Sequence, residues 1–213
     1  MKLYSYYRSS ASYRVRIALN LKDISHDIIP VDLVKKEQKA EGFLSMNPQG
    51  LVPTLQDGDK TFTQSLAILE YLEEHYPHTP RLLPPIPALR AKIRAFALAI
   101  ACDIHPLNNV RVLNYLKEEL HCDDAAKNTW YQYWVQQGLA ALEQTLTTEH
   151  TPYCFGNEPS LADVCLIPQL YNARRFECDM SVYPRLVAIE THCLKLHAFK
   201  KASPEQQVDY PRN

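Results

Sequence analysis

The chain has 213 residues, of which 46% are hydrophobic, and its formal net charge is -1 at pH 7. This length and composition predict a globular protein with one large domain or two small ones, and the near-zero charge argues against a nucleic-acid partner. No apolar run is long enough to cross a bilayer and no signal-peptide pattern opens the chain, so we expect a cytoplasmic protein without membrane contacts. The six cysteines form no Cys-x-x-Cys pair, which predicts reduced thiols and no metal site.

The chain begins with a predicted strand, a tight turn and a helix. Residues 2–7 are largely apolar and aromatic, and residues 10–21 carry a helical pattern of apolar side chains that leaves Arg16 on a narrow polar edge. Arg8, Ser9 and Ser10 lie between them. A helix start exposes unpaired N–H groups, so hydroxyls beside a cation can bind an anion such as a thiolate. The alternative is that one serine simply caps the helix.

The next segments predict the rest of a small sheet. Residues 27–31 form a second strand, which we expect at a sheet edge because it contains Pro30. Two strands around one helix favour a βαβ unit. Residues 57–59 indicate a hairpin turn between two further strands. The spacing around Val52-Pro53 does not distinguish a cis from a trans peptide bond.

A second candidate anion site lies at Gln64 and Ser65, where a strongly patterned helix begins. Ser65 can cap this helix. Its free N–H groups can also hold a carboxylate, with Gln64 supplying an amide partner. Local sequence leaves both interpretations open.

Prolines are concentrated between residues 77 and 87, and the chain beyond them is helical in pattern. The predicted helices span residues 88–102, 107–120, 125–147, 161–175 and 183–195. The sequence therefore predicts an α/β domain over residues 1–80, a proline-rich linker over 81–87 and an all-α domain over 88–213.

Polar groups interrupt the second domain at two places. Residues 102–109 place a proline and several polar side chains within an apolar helical stretch, which predicts a kinked or broken helix. His105 within it can equally be an ordinary hydrogen-bonded histidine. Arg174 and Arg175 end the helix 161–175, where they can offset the helix dipole or bind a carboxylate bidentately. Sequence chemistry alone does not separate these two roles.

Three separated motifs, residues 9–19, 47–55 and 64–72, resemble the zeta class of glutathione transferases, which includes the maleylacetoacetate isomerases and the bacterial maleylpyruvate isomerases. The resemblance continues through residues 161–184. It implies the glutathione transferase fold, in which a thioredoxin-like N-terminal domain precedes an all-α domain. It further implies a homodimer, glutathione as cofactor and a small dicarboxylate as substrate.

The resemblance also implies roles for individual residues. Val52-Pro53 would be cis, so that the Val52 backbone can pair with that of glutathione. Arg8 and Arg175 match positions suited to the substrate's carboxylates, and together with Ser9 and Ser10 they form the predicted catalytic set. The predicted glutathione ligands are Ser9, Ser10, Gln38, Val52, Pro53, Gln64, Ser65, His105, Asn109 and Arg111.

The chain departs from the zeta pattern at two positions. Ala11 stands where many zeta enzymes have a cysteine, which excludes catalysis by an enzyme thiol there. His105 replaces the glutamine common in the maleylacetoacetate enzymes, so maleylacetoacetate and maleylpyruvate both remain candidate substrates. The expected reaction is their glutathione-dependent cis-trans isomerisation by thiolate addition, rotation and elimination. The alternatives are a general transferase that conjugates electrophiles or reduces peroxides, and a non-catalytic glutathione-binding module.

Overall fold

The computed structural model describes residues 1–212. The chain divides into two compact units, one formed by residues 1–82 with the segment that begins at Leu194, the other by Leu83–Cys193. The domain division proposed from the sequence stays a prediction. In the structure, the segment after Cys193 packs with the first unit.

The first unit is built on a four-stranded mixed sheet with the order β2-β1-β3-β4. The strands are β1 Lys2–Ser5, β2 Asp27–Pro30, β3 Thr54–Asp57 and β4 Lys60–Thr63. β1 pairs in parallel with β2 and antiparallel with β3, and β3 and β4 form the predicted hairpin. β2 lies at a sheet edge, as Pro30 indicated. Tyr6 and Tyr7, predicted as strand, instead follow the end of β1 and leave the sheet.

The helices of the first unit are α1 Ser10–Leu21, α2 Glu41–Met46, α3 Ser65–His75 and, near the C-terminus, α9 His197–Ala202. α1 buries Val15, Ile17 and Leu19, together with two arginines, Arg14 and Arg16. The helical pattern placed Arg16 on a polar edge, and that prediction is wrong. Its guanidinium is buried because it hydrogen-bonds Ser5 Oγ and the carbonyls of Tyr6, Tyr7 and Ala202.

The C-terminal segment completes the first unit by packing along α1. Arg16 Nε donates to the Ala202 carbonyl at 2.9 Å, and Asn20 Nδ2 donates to the Ala198 carbonyl at 3.0 Å. The sequence did not predict α9. Its acceptors are backbone carbonyls, which carry no side-chain signal in the sequence.

The second unit contains the helices α4 Pro87–Leu98, α5 Val110–Glu118, α6 Asp124–Thr145, α7 Leu161–Arg175 and α8 Pro184–Cys193. The break predicted near residues 102–109 is present, since α4 passes into a π-helical segment, Ala99–Ile104, and then a 3-10 turn, Pro106–Asn108. Gly138 of α6 permits this arrangement, because a Cβ there would lie 2.2 Å from Ile104 Cδ1.

α7 begins with a capping box formed by Ser160 and Asp163. The Asp163 carboxylate accepts hydrogen bonds from the backbone N–H groups of Ser160 and Cys154, each at 2.8 Å. Burial raises the pKa of Asp163. The carboxyl thus ties the loop before α7 to the helix start, which is a structural role. Within the described part of the chain, no helix combines the length and apolar character needed to span a membrane.

Candidate active site

The turn between β1 and α1 carries the first group of candidate residues. Ser9 is the N-cap of α1, and its Oγ accepts a hydrogen bond from the Ser12 N–H at 3.2 Å. A serine hydroxyl that accepts one hydrogen bond still carries a proton that it can donate. Capping and anion binding, which the sequence posed as alternatives, are therefore compatible in Ser9. Ser10 is the first residue of the helix and is buried.

The Arg8 guanidinium packs against two aromatic rings. Its guanidinium carbon is 5.3 Å from the Tyr7 ring centroid and 5.8 Å from that of Tyr6, and Nη2 donates to the Tyr6 hydroxyl at 3.3 Å. Burial raises the pKa of the Tyr6 phenol, so this partner is neutral at physiological pH. Arg8 is nevertheless exposed. Held by cation-π contacts and a neutral acceptor, it retains its charge for an anionic ligand.

The start of α3 forms the second group. Gln64 takes the N-cap position with φ 66°, and no side chain caps the helix. The expectation that Ser65 can cap α3 is wrong, because Ser65 is already the first helical residue. A non-glycine residue at positive φ costs on the order of 1 kcal/mol, and such residues cluster at functional sites. The uncapped N–H groups of α3 suit a carboxylate.

Ser65 is oriented by a buried arginine from α1. Arg14 Nη1 donates to Ser65 Oγ at 3.2 Å, and both side chains are buried. A guanidinium can only donate, so the hydroxyl of Ser65 accepts there and its own proton points elsewhere. This contact also fixes the starts of α1 and α3 beside each other.

The loop before β3 supplies backbone groups. Val52-Pro53 is a cis peptide bond, as the resemblance implied, and both residues are buried. Asn47 Nδ2 holds this loop by donating to the Leu51 carbonyl at 2.7 Å. Gln49 Oε1 accepts from Gln64 Nε2 at 2.8 Å, so the loop is joined to the start of α3.

Gln38 approaches the same loop at Gly50. Gly50 has φ 60°, and a Cβ there would lie 3.0 Å from the Gln38 carbonyl oxygen and 2.9 Å from Lys39 Nζ. Among the described residues, Oε1 of Gln38 is buried without a hydrogen-bond partner. A buried acceptor of this kind calls for a ligand or water that completes it.

The second unit carries its own candidates around the π-helical segment. His105 follows that segment and is half-buried. Asn109 is the N-cap of α5, and its Oδ1 accepts from the Arg111 N–H at 3.2 Å. Its amide NH₂ remains a donor. The Arg111 side chain is exposed.

The two arginines that end α7 have different partners. Arg174 Nε donates to both carboxylate oxygens of Glu190, at 3.2 and 3.1 Å, which gives Arg174 a structural role. Arg175 is exposed, and its guanidinium carbon lies 4.5 Å from the Phe176 ring centroid. The Tyr131 and Phe176 rings stack with centroids 3.5 Å apart. Arg175 is therefore the one of the pair that suits a ligand carboxylate.

Comparison with known proteins places this geometry in a family. The model of the glutathione S-transferase N-terminal domain matches residues 3–80, and that of the C-terminal domain matches residues 134–188. The probable maleylacetoacetate isomerase of Vibrio cholerae is 49% identical over 209 residues, 97% of each chain. A maleylpyruvate isomerase described as a bacterial zeta-class glutathione S-transferase is 44% identical, with a TM-score of 0.97 over 99% of this chain and 100% of its own. The chain belongs to the zeta class of glutathione transferases. Its predicted fold class is confirmed.

The donor set of this zeta-class transferase fits glutathione. A thiolate suits Ser9 and the N-terminus of α1, a carboxylate suits Ser65 and the uncapped start of α3, and Gln38 Oε1 offers a buried acceptor. The maleylacetoacetate isomerase of Methylobacterium extorquens AM1, whose structure contains malonate and GSH, is 40% identical, with a TM-score of 0.96 over all of both chains. Glutathione is the cofactor of this class.

The candidates of this transferase are distributed over both units. The first unit contains Arg8, Ser9, Ser10, Gln38, Val52, Pro53, Gln64 and Ser65, and the second contains His105, Asn109, Arg111 and Arg175. Sequence reasoning missed two of the side chains that hold them, Gln49 for Gln64 and Tyr6 for Arg8. Only Tyr6 had a local signal, since an aromatic residue so near an arginine favours a cation-π contact.

Proposed function

We propose that this zeta-class transferase catalyses the glutathione-dependent cis-trans isomerisation of a maleyl keto-dicarboxylate, either maleylacetoacetate or maleylpyruvate. The observation that carries the proposal is the pairing of Arg8 and Ser9. Arg8, an exposed cation that packs against an aromatic ring, directly precedes Ser9, the serine that caps α1. A carboxylate-binding group is thereby built next to a thiolate-binding group, which is what the addition of a thiol to an unsaturated dicarboxylate requires.

Both substrates contain a cis double bond conjugated to a carbonyl group, with carboxylates at the ends. When bound, glutathione supplies the thiolate that adds to this double bond and leaves again once the resulting single bond has rotated. A free thiol with a pKa near 8.5 is only a few per cent ionised at about pH 7. The task of the protein is therefore to lower that pKa, to hold the substrate and to stabilise the developing enolate charge.

The proposed roles in the first unit follow from its contacts. Ser9 donates its hydroxyl proton to the sulfur, supported by the N-terminal dipole of α1 and by Ser10. Gln64 and Ser65 hold the γ-glutamyl carboxylate at the start of α3, and the backbone of Val52 pairs with that of glutathione beside Pro53. Ala11 contributes no thiol, so the reactive sulfur is that of glutathione alone.

The remaining candidates have proposed roles in binding the substrate or in completing the glutathione site. Arg8 and Arg175 bind the substrate carboxylates and stabilise enolate charge. Both guanidinium groups are restrained by aromatic rings, which lowers the entropy lost on binding. His105, Asn109 and Arg111, with Gln38, complete the glutathione site.

The deciding experiment supplies the purified protein, with and without glutathione, with maleylacetoacetate and with maleylpyruvate in parallel. The change in ultraviolet absorbance follows the conversion of each cis compound to its trans product. We expect turnover of at least one substrate that depends fully on glutathione. Efficient conjugation of an aryl halide or reduction of an organic hydroperoxide, without isomerisation, would instead identify a general transferase. Failure to bind immobilised glutathione would identify a non-catalytic module.

We further propose a cytoplasmic homodimer, as the class implies. The described cysteines are all free thiols, and Cys154, Cys165, Cys178 and Cys193 are buried, which suits a reducing compartment. Size-exclusion chromatography with light scattering should give twice the 24.5 kDa mass of one chain. A single-chain mass at micromolar concentration would refute the dimer.

A further inference from the structure

The backbone of Tyr7 is connected to the C-terminal segment through both of its polar groups, the N–H directly and the carbonyl through Arg16. The Tyr7 N–H donates to Asp209 Oδ2 at 2.9 Å. The Tyr7 carbonyl accepts from Arg16 Nη2 at 3.0 Å, and Arg16 Nε in turn donates to the Ala202 carbonyl at 2.9 Å. The two polar groups of this residue are therefore both connected, directly or through one side chain, to residues about 200 positions away.

Aromatic packing adds to these hydrogen bonds. The Tyr210 ring meets the Tyr7 ring edge to face, with centroids 5.6 Å apart. Tyr210 also packs against the small hydrophobic cluster that contains Tyr6, Tyr7 and Val52. Asp209 and Tyr210, which we call the C-terminal clasp, thus contact Tyr7, in the turn that carries Arg8 and Ser9.

The clasp is itself firmly attached to its own segment. Gln207 is buried, and its Nε2 donates to the carbonyls of Ser203 at 2.8 Å and Lys201 at 3.0 Å. The Tyr210 N–H donates to the Gln207 carbonyl at 3.1 Å. The hydrogen bond from the Tyr7 N–H to the Asp209 carboxylate is charge-assisted. Because Asp209 is half-buried, this hydrogen bond is partly shielded from water. An anchored carboxylate of this kind restrains the backbone that it contacts.

We propose that Asp209 and Tyr210 are positioning residues for the Arg8-Ser9 turn. By fixing the Tyr7 peptide, the clasp sets where the Arg8 guanidinium and the Ser9 hydroxyl lie relative to the sulfur and the substrate. The expected effect on kcat rests on the proposed function, whereas the restraint of the turn can be measured in the protein without glutathione. A displacement of catalytic groups by about 1 Å lowers the rate by as much as 100-fold, so loss of the clasp should reduce turnover without removing any group that touches the ligands.

The test compares Asp209→Ala and Tyr210→Ala with the conservative Asp209→Asn and with a matched control, Val208→Ala. Asn retains an oxygen that can accept from the Tyr7 N–H. Val208 is adjacent in the same segment but 70% exposed, so its truncation changes the segment without changing the clasp. Three quantities are measured: amide hydrogen exchange at Tyr7 without glutathione, the pKa of the bound glutathione thiol from thiolate absorbance, and kcat with KM for glutathione and substrate.

We expect Asp209→Ala to speed exchange of the Tyr7 amide at least about 10-fold, to raise the pKa of the bound thiol and to lower kcat about 10-fold or more, with a small change in KM for glutathione. Tyr210→Ala should change the same quantities in the same direction, Asp209→Asn should retain most of each, and Val208→Ala should match the unaltered protein. Thermal unfolding measured alongside separates this from a general loss of stability.

Two results would overturn the inference. One is unchanged exchange at Tyr7 in Asp209→Ala, which would mean that the carboxylate does not restrain the turn. The other is faster exchange with unchanged thiol pKa and unchanged kcat, which would reduce the clasp to a structural contact. If the unaltered protein isomerises neither substrate, the proposed function fails, while exchange and thiol pKa still decide the positioning role.

Discussion

Replacement of Ser9 by alanine tests how the glutathione thiol is activated. The change removes the hydroxyl that caps α1 and that we expect to donate to the sulfur. A hydrogen bond to a charged group contributes about 1.5 to 3 kcal/mol, and 1.36 kcal/mol corresponds to about one pKa unit. Ser9→Ala should therefore raise the pKa of the bound thiol by about 1 to 2 units, which reduces the ratio of thiolate to thiol at a given pH roughly 10- to 100-fold. Loss of the cap should also lower the free energy of unfolding by about 1 kcal/mol.

Titration of thiolate absorbance in the enzyme-glutathione complex measures this pKa directly. Ser9→Thr should retain most of the effect, because threonine keeps both the cap and the donor. Ser12→Ala is the matched control: its hydroxyl is fully buried one turn later in α1, without a hydrogen-bond partner among the described residues. An unchanged titration curve in Ser9→Ala, with the expected loss of stability, would show that Ser9 is only a helix cap.

Three further substitutions test the second unit. Arg175→Ala should raise KM for the dicarboxylate about 10- to 100-fold in steady-state kinetics while leaving KM for glutathione within about 2-fold, and an equal rise in both would contradict a substrate role. Arg174→Ala should instead leave both KM values unchanged and lower stability in denaturant unfolding by on the order of 1 kcal/mol, because it removes the partner of Glu190 while its own side chain is 47% exposed. Gly138→Ala should cost about 1 to 3 kcal/mol through its clash with Ile104, and adding Ile104→Ala should make the pair less than additive in thermal unfolding, whereas strict additivity would refute the close contact.

The sequence predicted well those elements whose ends are fixed by local contacts. α1 and α7 begin at the predicted residues, because the side chains of their N-caps, Ser9 and Ser160, accept hydrogen bonds from N–H groups within three positions. The hairpin at residues 57–59 is local in the same way. Capping and turn chemistry act over a few residues, so a single sequence contains the information that sets them.

The sequence predicted poorly what depends on distant partners. The polar edge predicted for Arg16 is wrong because the groups that accept from its guanidinium lie outside α1. One of them, the carbonyl of Ala202, is 186 residues away and has no side-chain signal. Arg174 and Arg175 are neighbouring residues of the same type, so the sequence does not distinguish their roles. The hydrogen bond from Arg174 to Glu190 distinguishes them in the structure. The positive φ of Gln64 could not be foreseen either, since that conformation is imposed by its surroundings and not by glutamine.

The attachment of the last residues to α1 has a consequence for synthesis of the chain on the ribosome. The first unit contains β1, which is synthesised before the second unit, and also Ala202 and Asp209, which are synthesised after it. The first unit can therefore be completed only after all of Leu83–Cys193 has been made. At typical translation speeds the delay is roughly 10 seconds. During that interval the nascent chain has the residues of the Arg8-Ser9 turn but not the partners that hold it. A product of translation interrupted before Ala202 would thus lack the hydrogen bonds from Asp209 and to Ala202 that hold this turn.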